Sequence, residues 1–226
     1  MLDLRNMDCM ELMRQYPDKH FDLAIVDPPY GIGHSMLSGA SRGSRFDRYS
    51  DSVSWDNVPD LDYFQELARV SKNQIIWGAN YFGFGPSRCV LIWDKVQIFS
   101  GSDFELAWTS FDFPAKAFRM SRVEAYTNGK IHPCQKPTEL YRWLLSNYAK
   151  VGDLILDTHL GSGSIAIACH DLGFDLVGSE LDADYFAAMN ERISRHTAQG
   201  NLFKPQIEAE DDVRQHSLFP APEASA

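Results

Sequence analysis

An α/β fold, built on a mixed but mostly parallel sheet with helices on both faces, is what the sequence predicts. Three observations carry it. Short apolar runs end repeatedly in Gly, Pro or acidic punctuation, which marks buried strands. Residues 153–196 alternate strand-like and helix-like patterns as β-α-β-α, which demands a parallel, right-handed unit. In the middle of the chain, apolar runs lie too close together for a crossover helix between them, so part of the sheet is antiparallel.

In chain order, Phe21–Asp27 reads as a buried strand leading into Pro28 and Pro29. Gln74–Gly78, Cys89–Trp93 and Phe104–Trp108 read likewise. Asp153–Asp157 is a strand followed by Gly161-Ser162-Gly163. Ser164–Leu172 is a helix with Ile165, Cys169 and Leu172 on one face, and Gly173 is its stop. Asp175–Glu180 is the next strand, and Asp182–His196 the next helix, with Tyr185, Ala188, Met189 and Ile193 at helical spacing. Gly31–Trp55 is rich in Gly, Ser and Arg and lacks apolar period, so it reads as a long loop. The expected organisation is one domain over residues 1–199, carrying inserted segments 31–55 and 111–131, and a disordered acidic tail over 200–226.

Composition narrows the classes. Of 226 residues 44% are apolar, enough for a core. No apolar run reaches the roughly 20 residues that cross a bilayer, and no signal peptide is visible, so a cytoplasmic protein without membrane contact is expected. Cys9, Cys89, Cys134 and Cys169 are scattered, which argues against a zinc ribbon or a disulfide framework; no metal site is expected. The net charge of −10 works against phosphate binding, but it is unevenly spread. Phe111–Pro137 carries Lys116, Arg119, Arg122, Lys130 and Lys136 against only Asp112 and Glu124. This is either a solvated basic face or a local DNA-facing surface.

Asp27-Pro28-Pro29-Tyr30 closes the first of these strands. Asp27 offers a carboxylate acceptor, and Pro28 or Pro29 a backbone carbonyl without a competing N–H. Tyr30 offers a ring on which a planar base can stack, worth about 1–3 kcal/mol in nucleic-acid sites. An exocyclic base amine needs two such acceptors, one for each N–H, so that its nitrogen can become pyramidal and its lone pair nucleophilic. A base inside a duplex is out of reach, so it must flip out. A strand ending in a rigid turn explains the same four residues without chemistry. The second constellation, Asp157–Ser164, places glycines between a strand and a helix, with Glu180 ending the next strand. Backbone N–H groups there can approach a ligand, and Glu180 can accept from ribose hydroxyls. Gly161-x-Gly163-x-x-Ala166 also satisfies a loose dinucleotide fingerprint, so a nicotinamide or flavin enzyme competes at this point.

Taken together, the motifs resemble the amino-methyltransferases of DNA, in the circularly permuted group whose catalytic tetrad precedes the cofactor loop. The resemblance rests on Asp27–Tyr30, on His132-Pro-Cys-Gln-Lys-Pro137, on Asp157-Thr-His-Leu-Gly-Ser-Gly-Ser164, on Glu180 and on Asn6–Cys9, in that family's order, over about residues 2–197. Trp77–Phe82 with Trp93-Asp-Lys95 is similar to small methyltransferases of phages and prophages. The resemblance implies a single Rossmann-like methyltransferase domain and S-adenosylmethionine as cofactor. It implies that Asp27, Pro28, Pro29 and Tyr30 bind and activate the amine. It assigns Asp157, Gly161, Ser162 and Gly163 to the methionine side of the cofactor, Glu180 to its ribose and Asp8 to its adenine amine. His132 and Lys136 would close the pocket, with Lys136 near the cofactor carboxylate or simply exposed. Thr158-His159 replaces the family's Pro-Phe, and Cys134 replaces its Thr; His159 either stacks in place of the Phe or lies on the surface. Cys89 follows Arg88 in an apolar strand and reads as buried and inert, which argues against cytosine-C5 chemistry.

Double-stranded DNA is the partner this implies. Arg42, Arg45 and Arg48 lie in the loop after the tetrad, and Lys116, Arg119, Arg122 and Lys130 lie where the family places target recognition. That segment is short, which suggests a short recognition sequence or a homodimer sharing DNA contacts. The leading expectation is adenine-N6 methylation, in a restriction-modification or phage setting. Cytosine-N4 methylation, RNA methylation, and a catalytically weak nucleic-acid-binding module of the same fold are the alternatives.

Overall fold

The computed structural model describes residues 1–32, 56–96, 102–126, 131–132 and 134–198. Its elements in order are β1 (Leu2–Asn6), α1 (Cys9–Met13), β2 (Phe21–Val26), α2 (Leu61–Val70), β3 (Ser71–Trp77), β4 (Leu91–Asp94), β5 (Phe104–Thr109), β6 (Lys116–Arg119), α3 (Arg122–Ala125), α4 (Thr138–Tyr148), β7 (Leu154–Asp157), α5 (Ser164–Leu172), β8 (Asp175–Glu180) and α6 (Ala183–Ala198). Among the described residues these strands form one sheet in the order β1-β8-β7-β2-β3-β5-β4-β6. Neighbours from β1 through β3 are all parallel. β5 runs antiparallel to both β3 and β4, and β6 is parallel to β4. β5 is therefore the one reversed strand, and the expected mixed, mostly parallel sheet is observed.

Side-chain alternation divides the core between the two faces. Leu23 and Ile25 of β2, Ile75 and Trp77 of β3, Ile155 of β7 and Leu176 of β8 pack with Leu140 and Leu144 of α4, Ile165 and Cys169 of α5, and Met189 and Ile193 of α6. Their neighbours Ala24, Val26, Ile76, Leu156 and Val177 pack on the other face with Leu12 and Met13 of α1 and with Tyr63, Leu67 and Val70 of α2. Period-two alternation of apolar residues on both faces is what a sheet covered on both sides requires. Each fully buried Leu or Ile contributes about 1.5–3 kcal/mol by its removal from water.

Local signals place the helix ends. Asp60 caps α2 by accepting from the Tyr63 backbone N–H at 3.1 Å. Pro137 precedes α4, where its missing N–H costs nothing. Gly163 and Gly173 bracket α5, both in the left-handed region. On the helical layer, Asp171 of α5 pairs with Arg142 of α4 and accepts from His196 Nε2 of α6 at 2.7 Å, joining three helices.

The chain winds in two directions. From β7 through α5 to β8 it moves toward one sheet edge; from β2 through α2 to β3 it moves toward the other. The reversal falls between β7 and β2, which are adjacent. Loops leaving the carboxyl ends of strands at such a reversal diverge and open a crevice, the place where doubly wound folds bind ligands. No helix among the described residues is long and apolar enough to cross a membrane.

Candidate active site

The crevice is a cavity of about 480 Å³, lined by the segments after β1, β2, β7 and β8 together with Asn57–Asp60, Tyr63, His132 and Cys134–Lys136. It thus gathers residues from across the chain: Asp8, Asp27–Tyr30, His132, Lys136, His159, Gly161, Ser162 and Glu180 all line it. Its walls carry the carboxylates of Asp8, Asp27, Asp60, Glu180 and Asp182. Among the described lining residues the one fixed cation is Lys136. Such a wall suits a ligand that brings positive charge and hydrogen-bond donors, and it repels a pyrophosphate.

The tetrad loop is electrostatically complete. Tyr30 Oη donates to Asp27 Oδ1, and Lys136 Nζ pairs with Asp27 Oδ2. Lys136 also reaches Glu105 Oε2 at 3.2 Å and donates to Tyr30 Oη at 3.3 Å. Glu105 pairs in turn with Lys95 Nζ at 2.9 Å. The result is a chain Asp27–Lys136–Glu105–Lys95 of alternating charge, neutral as a whole, with the Lys136 side chain only 3% exposed. Burial alone would lower the Lys136 ammonium, but Asp27 and Glu105 outweigh it and hold it above its ordinary value. Burial likewise works to raise Glu105, yet Lys136 and Lys95 pull it down to about 2. Burial, seconded by the like charge of Glu105, keeps the Asp27 carboxyl above its usual range against the pull of Lys136. Asp27 is thus a relatively basic carboxylate fixed in orientation, with lone pairs left to accept from an amine.

Tyr30 is less open than a simple stacking platform. Its ring stacks on Tyr81 with centroids 4.9 Å apart and an interplanar angle of 16°. No base fits between rings at that spacing, so a base stacking on that face displaces Tyr81. Gly78, at φ +84°, lets the ring approach; a Cβ there would overlap the Tyr30 ring. At the mouth, Gly31 N donates to Asp56 Oδ1 at 2.9 Å, so the chain on either side of residues 33–55 meets beside the tetrad.

The loop after β7, with Glu180 at the end of the neighbouring β8, has the opposite character. Glu180 accepts from Gly161 N at 2.8 Å and from Asp182 N at 3.0 Å, which fixes the carboxylate without neutralising it; burial raises its carboxyl above the usual value. Asp157 lies behind this wall and is 1% exposed. Its Oδ1 accepts from His159 N at 2.9 Å, and burial pushes its carboxyl up to about 8. His159 lines the cavity, with its ring edge-on to Tyr63 at 5.5 Å. Burial brings its imidazole down to about 4, so the ring is neutral at pH 7. His132 packs against the Tyr185 ring at 4.5 Å and lies beside Gly161, whose Cβ position is 3.6 Å from the imidazole.

Several expected placements change. Lys136, expected near a cofactor carboxylate or exposed, is buried and its charge is taken up by Asp27 and Glu105. Gly163, expected at the cofactor, does not line the cavity; it is glycine because a Cβ would strike Met189 of α6. Asp157 backs the cavity through His159 instead of facing it. Asp8 lines the cavity but also caps α1, accepting from Met10 N at 2.9 Å and Glu11 N at 3.1 Å. Lys116, Arg119 and Arg122 lie on β6 and α3 at the far edge of the sheet, outside the cavity, and Arg119 Nε donates to Asp94 at 2.9 Å. Arg42, Arg45, Arg48 and Lys130 lie outside the described residues, as do most of segment 31–55 and the tail.

Four residues that build the site have no role in the sequence reading. Glu105 and Lys95 complete the charge chain; a charged residue inside or just after an apolar strand run was the available signal. Tyr63 joins the cofactor-side loop from 95 residues away, with no local signal. Arg192 of α6 donates to Ser162 O at 2.7 Å and Ser164 Oγ at 3.0 Å, bracing the glycine loop.

The chain is similar to several known proteins. Residues 93–191 match the N6_N4_Mtase family model, described as DNA methylase. The chain is 23% identical to the Type II methyltransferase M.HinfI of Haemophilus influenzae, an alignment covering 82% of this chain and 66% of that protein. Among solved structures, it resembles the M1.HpyAVI–SAM complex with a TM-score of 0.57 at 17% identity, covering 85% of this chain and 100% of that one. It also resembles the cytosine-N4-specific PvuII DNA methyltransferase with a TM-score of 0.56 at 13% identity, covering 88% and 92%.

Proposed function

We propose that this chain is a DNA amino-methyltransferase that transfers a methyl group from S-adenosylmethionine to the N6 amine of adenine in a short sequence of double-stranded DNA, after the base flips out; the DNA methylase family model over residues 93–191 and the similarity to Type II methyltransferases support this reading. One observation carries this reading: Asp27, at the end of β2, and the glycine loop after the adjacent β7 open into one cavity. A methyl donor and an amine acceptor held there would meet.

S-adenosylmethionine suits the wall described above. It supplies a sulfonium and an ammonium for the carboxylates, ribose hydroxyls for Glu180 and an adenine amine for Asp8. When bound, it provides an electrophilic methyl group. The chain's own residues do the rest. Asp27 accepts one N–H of the target amine and the Pro28 carbonyl the other, which favours a pyramidal nitrogen with its lone pair free. Lys136, shared with Glu105, keeps Asp27 oriented and ionised. The positive charge that develops on the attacking nitrogen lies beside that carboxylate, in a site that needs little reorganisation. Tyr81 yields its place on Tyr30 to the incoming base. Lys116 of β6 would contact phosphate, on the same sheet edge as Arg119, which Asp94 holds.

Cytosine N4 is the second reading. The same two acceptors serve either amine, and one structure the chain resembles is cytosine-N4-specific. The test is to incubate the protein with radiolabelled S-adenosylmethionine and unmethylated genomic DNA, digest, and identify the labelled nucleoside. N6-methyladenine is expected. N4-methylcytosine would replace the adenine assignment, and absence of label from DNA would overturn the reading.

A further inference from the structure

The Thr158-His159 pair, where the resembled family carries Pro-Phe, is held by a hydrogen-bond relay. Tyr63 Oη lies 2.7 Å from Thr158 Oγ1, and Thr158 Oγ1 lies 2.9 Å from His159 Nδ1. Tyr63 is buried, and among the described residues Thr158 is the partner of its hydroxyl. A buried phenol must place its proton on an acceptor, so Tyr63 donates to Thr158. The Thr158 proton is then directed to Nδ1. A neutral imidazole accepting at Nδ1 carries its hydrogen on Nε2. Burial keeps this ring neutral. Nε2 has no hydrogen-bond partner among the described residues and is not a sealed, unsatisfied atom. Asp8 lines the same cavity and is the carboxylate whose field acts on the His159 ring. Only Oδ1 of Asp8 is engaged, by the amides of α1, leaving Oδ2 to accept.

We infer that His159 is a specificity-determining donor: its Nε2–H recognises a ring nitrogen of the cofactor's adenine while Asp8 accepts from the exocyclic amine. The inference rests on the S-adenosylmethionine reading and deepens it. On either edge of the adenine amine an acceptor nitrogen, N1 or N7, stands next to a donor. A donor and an acceptor on one wall match that pattern. A phenylalanine at this position would offer packing alone. The Thr158-His159 departure therefore exchanges an apolar contact for a directed one, with Tyr63 and Thr158 as positioning residues that fix the tautomer.

The probe is S-adenosylhomocysteine, titrated calorimetrically into the wild-type protein and His159→Phe, beside its 1-deaza-adenine and 7-deaza-adenine analogues. Loss of one such hydrogen bond weakens binding by about threefold to tenfold. His159→Phe is expected to lose that factor for S-adenosylhomocysteine. One deaza analogue is expected to lose it against wild type and to lose nothing more against the variant, as a shared interaction requires. Nitrogen NMR of the ligand-free protein is expected to show the Nε2–H tautomer. Both analogues binding wild type like the parent, or an Nδ1–H tautomer, would overturn the inference and leave the cofactor reading intact. Failure of S-adenosylhomocysteine to bind wild type at all would instead remove the cofactor reading, and this inference with it.

Discussion

Two loops leave neighbouring parallel strands at the reversal of the sheet, and they handle charge in opposite ways. The loop after β2 is neutralised from within, because Asp27 faces Lys136 and Lys136 faces Glu105. The ends of β7 and β8, around the glycine loop, hold carboxyl groups that no cation among the described residues touches. Glu180 is fixed by amides, and Asp157 is buried so deeply that its carboxyl titrates at about 8. The first arrangement suits a catalytic group that must keep its geometry before and after the reaction. The second suits a binding site whose missing charge arrives with the ligand. In the proposed reaction, chemistry and cofactor capture would thus be divided between adjacent strand ends.

The largest effect that would break this contrast lies at the tetrad. Asp27→Ala is expected to slow methyl transfer by about a thousandfold, the upper range for removing a preorganised partner of the reacting atoms. Single-turnover transfer of label to DNA measures it. Lys136→Met comes next. It leaves Asp27 and Glu105 buried without their shared cation, and loss of about 3–5 kcal/mol in denaturant-measured stability is expected. A Lys136→Met protein as stable as wild type would mean that the charge chain is ornamental to the fold.

The cofactor-side loop makes a prediction of opposite sign. The folded state holds the Asp157 proton up to about pH 8, whereas the unfolded chain releases it near pH 4. Between those values the folded state binds more protons, so this group's stabilising contribution falls as pH rises. The melting temperature of the ligand-free protein should therefore decline from pH 6 to pH 9, and Asp157→Asn should flatten that decline. The smallest effect belongs to the far sheet edge. Lys116→Ala should reduce the slope of log affinity against log salt for DNA by about one and leave sequence preference unchanged. An unchanged slope would put the DNA elsewhere.

Legibility in the sequence followed the same division. The β7–α5–β8–α6 half was readable because its strands are short apolar runs closed by acidic residues and its helix α5 is bracketed by Gly163 and Gly173. Strands β1 and β6 were not. Leu2–Asn6 and Lys116–Arg119 are short edge strands carrying charge, with too few apolar residues for a pattern. Helices α2 and α4 were also passed over, although Tyr63, Leu67 and Val70, or Leu140, Leu144 and Leu145, recur at helical spacing. At the site, motif order located the cavity and most of its wall. Partnership was not legible: Lys136 meets Asp27 and Glu105, and Tyr63 meets Thr158, only after the sheet has formed. Gly163 makes the same point, since its packing against Met189 of α6 was not legible from the glycine loop itself.

The division of labour between the two loops can be tested in one comparison. S-adenosylmethionine affinity, measured by calorimetry at pH 7.5, should be within about threefold of wild type in Asp27→Ala and at least about tenfold weaker in Glu180→Gln, the scale of one charge-assisted contact. Loss of cofactor affinity in Asp27→Ala, with affinity retained in Glu180→Gln, would contradict the account.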